Sequence, residues 1–251
     1  MTLALPARAK LNLDLEVLGC RADGFHEVRT RLQSIDLHDL LLLSPADRTT
    51  ITMSGLGMKT AAENSVLKSH AALERAAGRE LPTRFLLHKR IPPGSGLGGA
   101  SSDAAAALRG LAQIHNVKAD LAAIAAAVGA DVAFFLEGGA ALAESRGERL
   151  TRLRPESSWF AIAWPGIELS TPAVYRAWDE VGGEPPNALR RAAAHVDGRL
   201  HHFARRLGPA WQMTGSGSAF FRVCPSPDAA RKATAMLDCW TAVTRAVGPW
   251  G

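Results

Sequence analysis

Residues 91–107, Ile-Pro-Pro-Gly-Ser-Gly-Leu-Gly-Gly-Ala-Ser-Ser-Asp-Ala-Ala-Ala-Ala, set four glycines and several small residues directly ahead of an alanine-rich helix. Without a Cβ, glycine lets the backbone approach a ligand closely. The N–H groups of a first helical turn lack intrahelical partners and together carry roughly half a positive charge. The segment therefore reads as a cradle for phosphate. Residues 84–89 have strand character, and Ser101, Ser102 and Asp103 suit the start of a helix from Asp103 to Ile114, so the order is strand, loop, helix. A P-loop would end in Gly-Lys-Ser/Thr, whereas Gly99 is followed by Ala100 and Ser101. Gly94, Gly96 and Gly99 satisfy the dinucleotide pattern G-x-G-x-x-G, but the second parallel strand that pattern needs is not evident. Asp120 instead reads as the cap of another helix, Leu121 to Val128, stopped by Gly129.

The rest of the chain alternates between strand and helix patterns, predicting an α+β fold. Leu11, Leu13, Leu15 and Val17 alternate with Asn12, Asp14 and Glu16, as a half-buried strand should. Val28 to Leu43 supplies one or two strands with a break near His38-Asp39, and Thr49 to Met53 another. Asn64 caps a helix through Ala77 that Gly78 stops. Ala140 to Glu144 and Arg149 to Leu153 read as a hairpin turning at Arg146-Gly147. A second half, divided from the first near residue 155, opens with a strand from Trp159 to Trp164. Helices follow at 172–180, 187–194, 197–207 and 228–237, with strands at 212–213, 219–223 and 241–247.

Composition excludes several classes. At 251 residues and 47% hydrophobic, the chain can bury a large core. The net charge of +5 comes from scattered basic residues and suits a small polyanionic substrate; with one tyrosine and no RNA-module pattern, nucleic acid is not expected as a partner. Cys20, Cys224 and Cys239 show no C-x-x-C spacing, so neither a disulfide framework nor a zinc site is indicated, and a reducing cytoplasm fits. His195, His201 and His202 lack accompanying ligands and read as surface residues. No signal peptide is expected, because Pro6, Arg8 and Lys10 interrupt the N-terminus; residues 121–136 are too short to span a bilayer, so no membrane partner follows.

Three segments join the glycine loop: Pro6-Ala-Arg-Ala-Lys-Leu-Asn-Leu13 continuing into Arg21-Ala-Asp-Gly-Phe-His-Glu27, Gly129-Ala-Asp-Val-Ala-Phe-Phe135, and Met213-Thr-Gly-Ser-Gly-Ser-Ala-Phe220. Together they resemble the GHMP family of small-molecule kinases over most of the chain. The resemblance implies a two-domain fold whose N-terminal half is similar to a ribosomal-protein domain and whose C-terminal half is a smaller α/β sandwich. It implies transfer of the γ-phosphoryl of ATP to an alcohol, chemistry that depends on positioning and charge stabilisation. Within that resemblance, the Ala-Lys-Leu-Asn strand and the Asp-Gly-Phe-His-Glu turn are similar to those of members whose acceptor is the 2-hydroxyl of a cytidine diphosphate conjugate of methylerythritol, in non-mevalonate isoprenoid synthesis, and imply that acceptor here.

Residue by residue, the same resemblance gives Pro92, Pro93, Gly94, Ser95, Gly96, Leu97, Gly98, Gly99, Ala100, Ser101 and Ser102 the nucleotide phosphates. Lys89, Ser65 and Val66 fall near the adenine and ribose pocket. Asp131 matches the catalytic base and Lys10 the cation that would reach the same hydroxyl or the aspartate; Asn12, two residues on, shares its strand face. Phe25 and His26 match the cytidine site, with Tyr175, in Thr171-Pro-Ala-Val-Tyr175, closing the other face of the base. Gly215 and Ser216 match the third family motif, a Gly-rich turn that closes over the phosphates. Mg²⁺ is expected with ATP, held mainly by phosphates and water, since no Glu stands out as its ligand. The quaternary state is expected to be monomer or homodimer. Relatives usually have Asn-Asp where this chain has Asn187-Ala188, and the second half reads as abbreviated.

Overall fold

The computed structural model describes residues 1–56 and 64–250. Its elements are β1 (Leu3–Asn12), β2 (Glu16–Cys20), β3 (His26–Pro45), β4 (Thr50–Gly55), α1 (Ser65–Ala77), β5 (Thr83–Lys89), α2 (Gly99–Ile114), α3 (Leu121–Val128), α4 (Ala130–Glu137), β6 (Ala140–Ser145), β7 (Arg149–Leu153), β8 (Trp159–Trp164), α5 (Thr171–Val181), α6 (Arg190–Val196), α7 (Arg199–Leu207), β9 (Gln212–Met213), β10 (Phe220–Cys224), α8 (Pro227–Thr234) and β11 (Trp240–Arg245). The mixture of helices and antiparallel sheet is the expected α+β class. The chain forms two compact units, interleaved in sequence: residues 1–9, 38–93 and 98–138 make the first, and residues 10–37, 94–97 and 139–251 the second.

In the first unit the end of β3 pairs antiparallel with β5, Leu40 opposite His88, and β4 pairs parallel with β5. A parallel pair needs a crossover, and α1 supplies it. Asn64 caps α1 by accepting the Val66 N–H at 2.8 Å, and Gly78 ends it at φ 63°, as its sequence predicts. Alternation along β5 buries Thr83, Phe85, Leu87 and Lys89 on one face. The alanines of α2 are buried in succession, Ala104 to Ala107, because small side chains let neighbouring elements approach from several sides. Gly110 sits so close to β3 that a Cβ there would lie 2.7 Å from a Leu43 methyl.

In the second unit β2 and the start of β3 form a hairpin with Cys20 opposite His26, and β3 continues onto β6 and β7. A separate antiparallel sheet runs β11-β8-β10-β9. Its core gathers Ala161, Ala163, Val174, Leu189, Leu200, Trp211 and Phe220 from β8, β10, the surrounding helices and the turns that join them.

Several boundaries differ from the sequence reading. The alternation at 11–17 is not one strand: β1 begins at Leu3 and ends at Asn12. Asp14 leaves the ladder to accept the Arg31 backbone N–H at 2.8 Å, and the Leu15 N–H donates to Pro186. Conversely, β3 runs through His38-Asp39 unbroken, because the buried Asp39 carboxylate has partners at its side rather than a turn. Helix α2 starts at Gly99, four residues early, since Gly98 at φ 77° takes the cap position that Ser101 to Asp103 were expected to fill. Helix α4 was not expected as a separate element. Gly129, at φ 173° and ψ 150°, ends one apolar helix and starts the next. Helix α6 starts at Arg190 rather than Asn187, whose side chain instead accepts the Leu189 N–H at 2.9 Å.

Candidate active site

Lys10, at the end of β1, is the first fixed point of the second unit. Its backbone N–H donates to the Leu97 carbonyl at 2.9 Å, tying β1 to the glycine loop. Its ammonium donates to Asn12 Oδ1 at 2.5 Å, as the shared strand face requires. Asn12 is itself held: its Nδ2 donates to Thr30 Oγ1 at 2.8 Å and its backbone N–H to Thr214 Oγ1 at 2.9 Å. Both Lys10 and Asn12 are buried, so this polar pair is oriented by protein rather than by water.

The loop segment 94–97 is pinned around them. The Gly94 carbonyl accepts from Leu169 at 3.2 Å and the Ser95 carbonyl from Ala219 at 2.9 Å. Gly94 and Gly96 have φ of 57° and 78°, where L side chains are strained. A Cβ on Gly96 would meet the Thr214 carbonyl oxygen at 2.4 Å. On Gly215 a Cβ would lie 3.1 Å from Asn12 Oδ1 and 3.2 Å from Lys10 Nζ. Glycine at these places is a condition of the two Gly-rich turns touching each other and the Lys10 ammonium. Ser216 shares a hydrogen bond with Thr171 at 2.8 Å.

Asn187 completes the arrangement. Its Nδ2 donates to the Met213 and Gly215 carbonyls at 2.8 and 3.0 Å. Neither Asn187, Thr30 nor Thr214 stood out as a site residue in the sequence. Thr214 was the most findable of the three, lying inside the Thr-Gly-Ser-Gly motif.

The base-site residues divide. His26 stacks on Tyr175, ring centroids 4.8 Å apart and 30° between planes, and meets Trp178 edge-on. Its Nε2 shares a hydrogen bond with Asp179 Oδ1 at 2.7 Å. Phe25, expected as the stacking partner of a base opposite Tyr175, is 55% exposed with the Arg146 guanidinium 5.0 Å over its ring.

In the first unit, Gly99 to Ser102 form the opening turn of α2, whose leading N–H groups are those a phosphate would take. The Ser102 hydroxyl is buried with no protein partner. Around this turn lies a buried charged staple that sequence reading did not anticipate. Lys89 bonds both Asp39 and Asp103, while Asp39 also accepts the backbone N–H groups of Arg90 and Ile91. Asp39 thus holds the entry of the glycine loop, and Lys89 holds Asp103 just past its exit. Burial alone would lower the Lys89 ammonium, but the carboxylates of Asp103 and Asp39 outweigh it and leave the group raised. Burial pushes the Asp103 carboxyl up to about 8 against the pull of Lys89, with the Asp39 charge adding to the rise. One cation between two buried carboxylates cannot readily keep both ionised.

Val66 is buried and donates its N–H to the α1 cap, while Ser65 beside it is half-buried. Pro92 is buried, Pro93 half-buried and Ala100 exposed. Asp131 stands in the first turn of α4, where its charge complements the helix dipole. His195, His201 and His202 are exposed, as expected.

Residues 64–139, spanning α1 to α4 and the loop, match the GHMP kinases N terminal domain family. Solved structures of the same fold include a homoserine kinase from Cytophaga hutchinsonii, with TM-score 0.69 over 99% of this chain and 95% of that one at 19% identity. The fold and its glycine loop are those of a GHMP kinase. A crystal structure of 4-(cytidine 5'-diphospho)-2C-methyl-D-erythritol kinase superposes with TM-score 0.83 and 34% identity, covering 98% of this chain and all of that one (100%). The 4-diphosphocytidyl-2-C-methyl-D-erythritol kinases of Thermus thermophilus and Thermotoga maritima are 37% and 41% identical over 93% and 88% of this chain and 92% of each relative. The chain belongs to the 4-diphosphocytidyl-2-C-methyl-D-erythritol kinase family.

Proposed function

We propose that the protein transfers the γ-phosphoryl group of ATP to the 2-hydroxyl of 4-diphosphocytidyl-2-C-methyl-D-erythritol, yielding the 2-phosphate and ADP. The observation that carries this is the cluster in the second unit, where Lys10, Asn12, the loop segment 94–97 and Thr214 to Ser216 are bonded or packed to one another. The names of the relatives give the acceptor.

The residues fit a triphosphate. The opening turn of α2 presents N–H groups without intrahelical partners, and Ser102 in that turn offers a buried hydroxyl with no protein acceptor or donor. Mg²⁺ bound with the triphosphate would supply charge neutralisation, with Ser102 the loop hydroxyl available to it. Asp131 takes the proton of the attacking hydroxyl, a contribution worth about 10²- to 10⁴-fold in rate. Lys10, kept in place by Asn12, opposes the negative charge that builds as the bond to phosphorus forms. His26 and Tyr175 present an aromatic surface to the cytosine ring. The quaternary state is proposed as monomer or homodimer, and the compartment as the cytoplasm; no helix among the described residues is long and apolar enough to cross a membrane.

The test is phosphate transfer from labelled ATP with purified protein. The diphosphocytidyl alcohol should be labelled and CDP should inhibit. Labelling of homoserine or mevalonate with no inhibition by CDP would remove the cytidine assignment.

A further inference from the structure

We propose that Cys20, His26 and Asp179 form a binding site for a thiophilic divalent cation of the zinc class, and that this cation excludes the cytosine base of the acceptor. The binding half stands on geometry alone; the exclusion half rests on the reading of His26 given above.

Cys20 and His26 are direct partners in the β2–β3 hairpin, so their side chains leave the same face of the ladder. Asp179 reaches the same point from α5, one turn beyond Tyr175. One ligand atom from each, the thiol sulfur, an imidazole nitrogen and a carboxylate oxygen, all lie within 4.8 Å of one another. Metal–ligand bonds of about 2.0–2.3 Å put the ligands of a tetrahedral zinc roughly 3.3–3.7 Å apart. Closing the set takes movements of about an ångström, which rotation of the exposed Cys20 and Asp179 side chains supplies.

His26 needs no such search. Its side chain is 9% exposed, its faces are fixed by Tyr175 and Trp178, and its Nε2 already points at Asp179 Oδ1. A cation bound in the ring plane takes the place of the hydrogen on that bond and ties His26 to the helix that carries Tyr175, so the two rings stay stacked 4.8 Å apart and a base that must part them has no space to enter. The thiol must lose its proton to solvent, and the imidazole keeps its single hydrogen on Nδ1. The Cys20 sulfur now lies 3.7 Å from the Arg21 carbonyl, a weak contact easily exchanged. The Arg21 guanidinium beside it is engaged by Glu27 and Asp23, which limits its repulsion of a cation. A thiolate, an imidazole and one carboxylate favour zinc over magnesium or calcium, which prefer oxygen-only sets. Sequence spacing hides the site because the third ligand lies on an element far along the chain.

The experiment is titration of the full chain with Co²⁺, which reports thiolate ligation as near-ultraviolet charge-transfer absorption. One equivalent should bind, Zn²⁺ should displace it, and Cys20→Ser should abolish the band without changing far-ultraviolet circular dichroism or turnover with Mg²⁺-ATP in the absence of Co²⁺ and Zn²⁺. Asp179→Asn should weaken binding at least tenfold. An unchanged band in Cys20→Ser, or none in the parent protein, overturns the site. Cytidine, which has no phosphates to chelate metal, should then release the bound Co²⁺. A band that needs Cys20 yet survives saturating cytidine supports the metal site and overturns its overlap with the base.

Discussion

Alanine at Gly96 isolates what the close approach of the two Gly-rich turns is worth. Gly96 has φ 78°, and Gly166, in a turn after β8, has φ 75°, so an alanine at either incurs a similar backbone strain of about 1–2 kcal/mol. Their surroundings differ. Nothing lies within 4 Å of a Cβ at Gly166, whereas at Gly96 the Cβ would stand 2.4 Å from the Thr214 carbonyl oxygen and 3.0 and 3.1 Å from Gly217 O and N. Those atoms are backbone and cannot rotate away, so overpacking adds roughly 1–3 kcal/mol. Gly96→Ala should therefore cost about 2–5 kcal/mol against about 1–2 for Gly166→Ala. The relaxation has a direction: it drives Thr214 to Gly217 off the loop, and with them the hydroxyl that holds the Asn12 N–H. Displacing groups around Lys10 by even an ångström can cost about 10²-fold in rate. Urea unfolding of both variants at constant m-value reads the first effect, and initial rates at saturating ATP read the second. Equal midpoints for the two variants, with turnover at the parent level, would refute the reasoning.

Asp131→Asn should lower kcat by about 10²- to 10⁴-fold with the KM for ATP within about twofold, measured by steady-state kinetics; a parallel loss of nucleotide affinity would assign the residue to folding or binding instead. Asn187→Ala strips partners from the Met213 and Gly215 carbonyls and the Leu189 N–H, so chemical denaturation should show a loss of about 2–4 kcal/mol. For Asp103, the folded protein keeps the carboxyl protonated up to about 8 while the ordinary value is 3.8. The folded state therefore holds the extra proton between those values. Its contribution to stability is complete below about pH 4 and is lost as pH rises toward 8. Asp103→Asn lacks that titration, so the parent's melting temperature should fall relative to the variant's from pH 5 to pH 8; parallel curves would contradict the assignment.

Much of the fold was legible because its signals are local. Asn64 and Gly78 bracket α1 through a cap hydrogen bond and a left-handed φ that involve only neighbouring residues. The limits of β8 followed from an unbroken apolar run closed by Pro165-Gly166, and the β6–β7 hairpin from its turn. The errors have a common origin in distant partners. Asp39 reads as a strand break until Arg90 and Ile91 supply its hydrogen bonds, 51 and 52 residues away. The alternation at 11–17 reads as one strand until Arg31 and Pro186 draw the backbone aside.

The site shows the same division. By itself the sequence determined that a glycine-rich loop opens a helix, that Lys10 and Asn12 share a strand face, and that two further motif segments accompany them. Glycine content, strand period and motif spacing are properties of adjacent residues. Only the tertiary structure decided that Gly96 and Gly215 must be bare because Thr214, Asn12 and Lys10 press against them. It alone placed Lys89 between Asp39 and Asp103, and brought Cys20 to Asp179. Hydrogen bonds and ion pairs act over about 3 Å of space irrespective of separation along the chain, so no local pattern of residues can announce them.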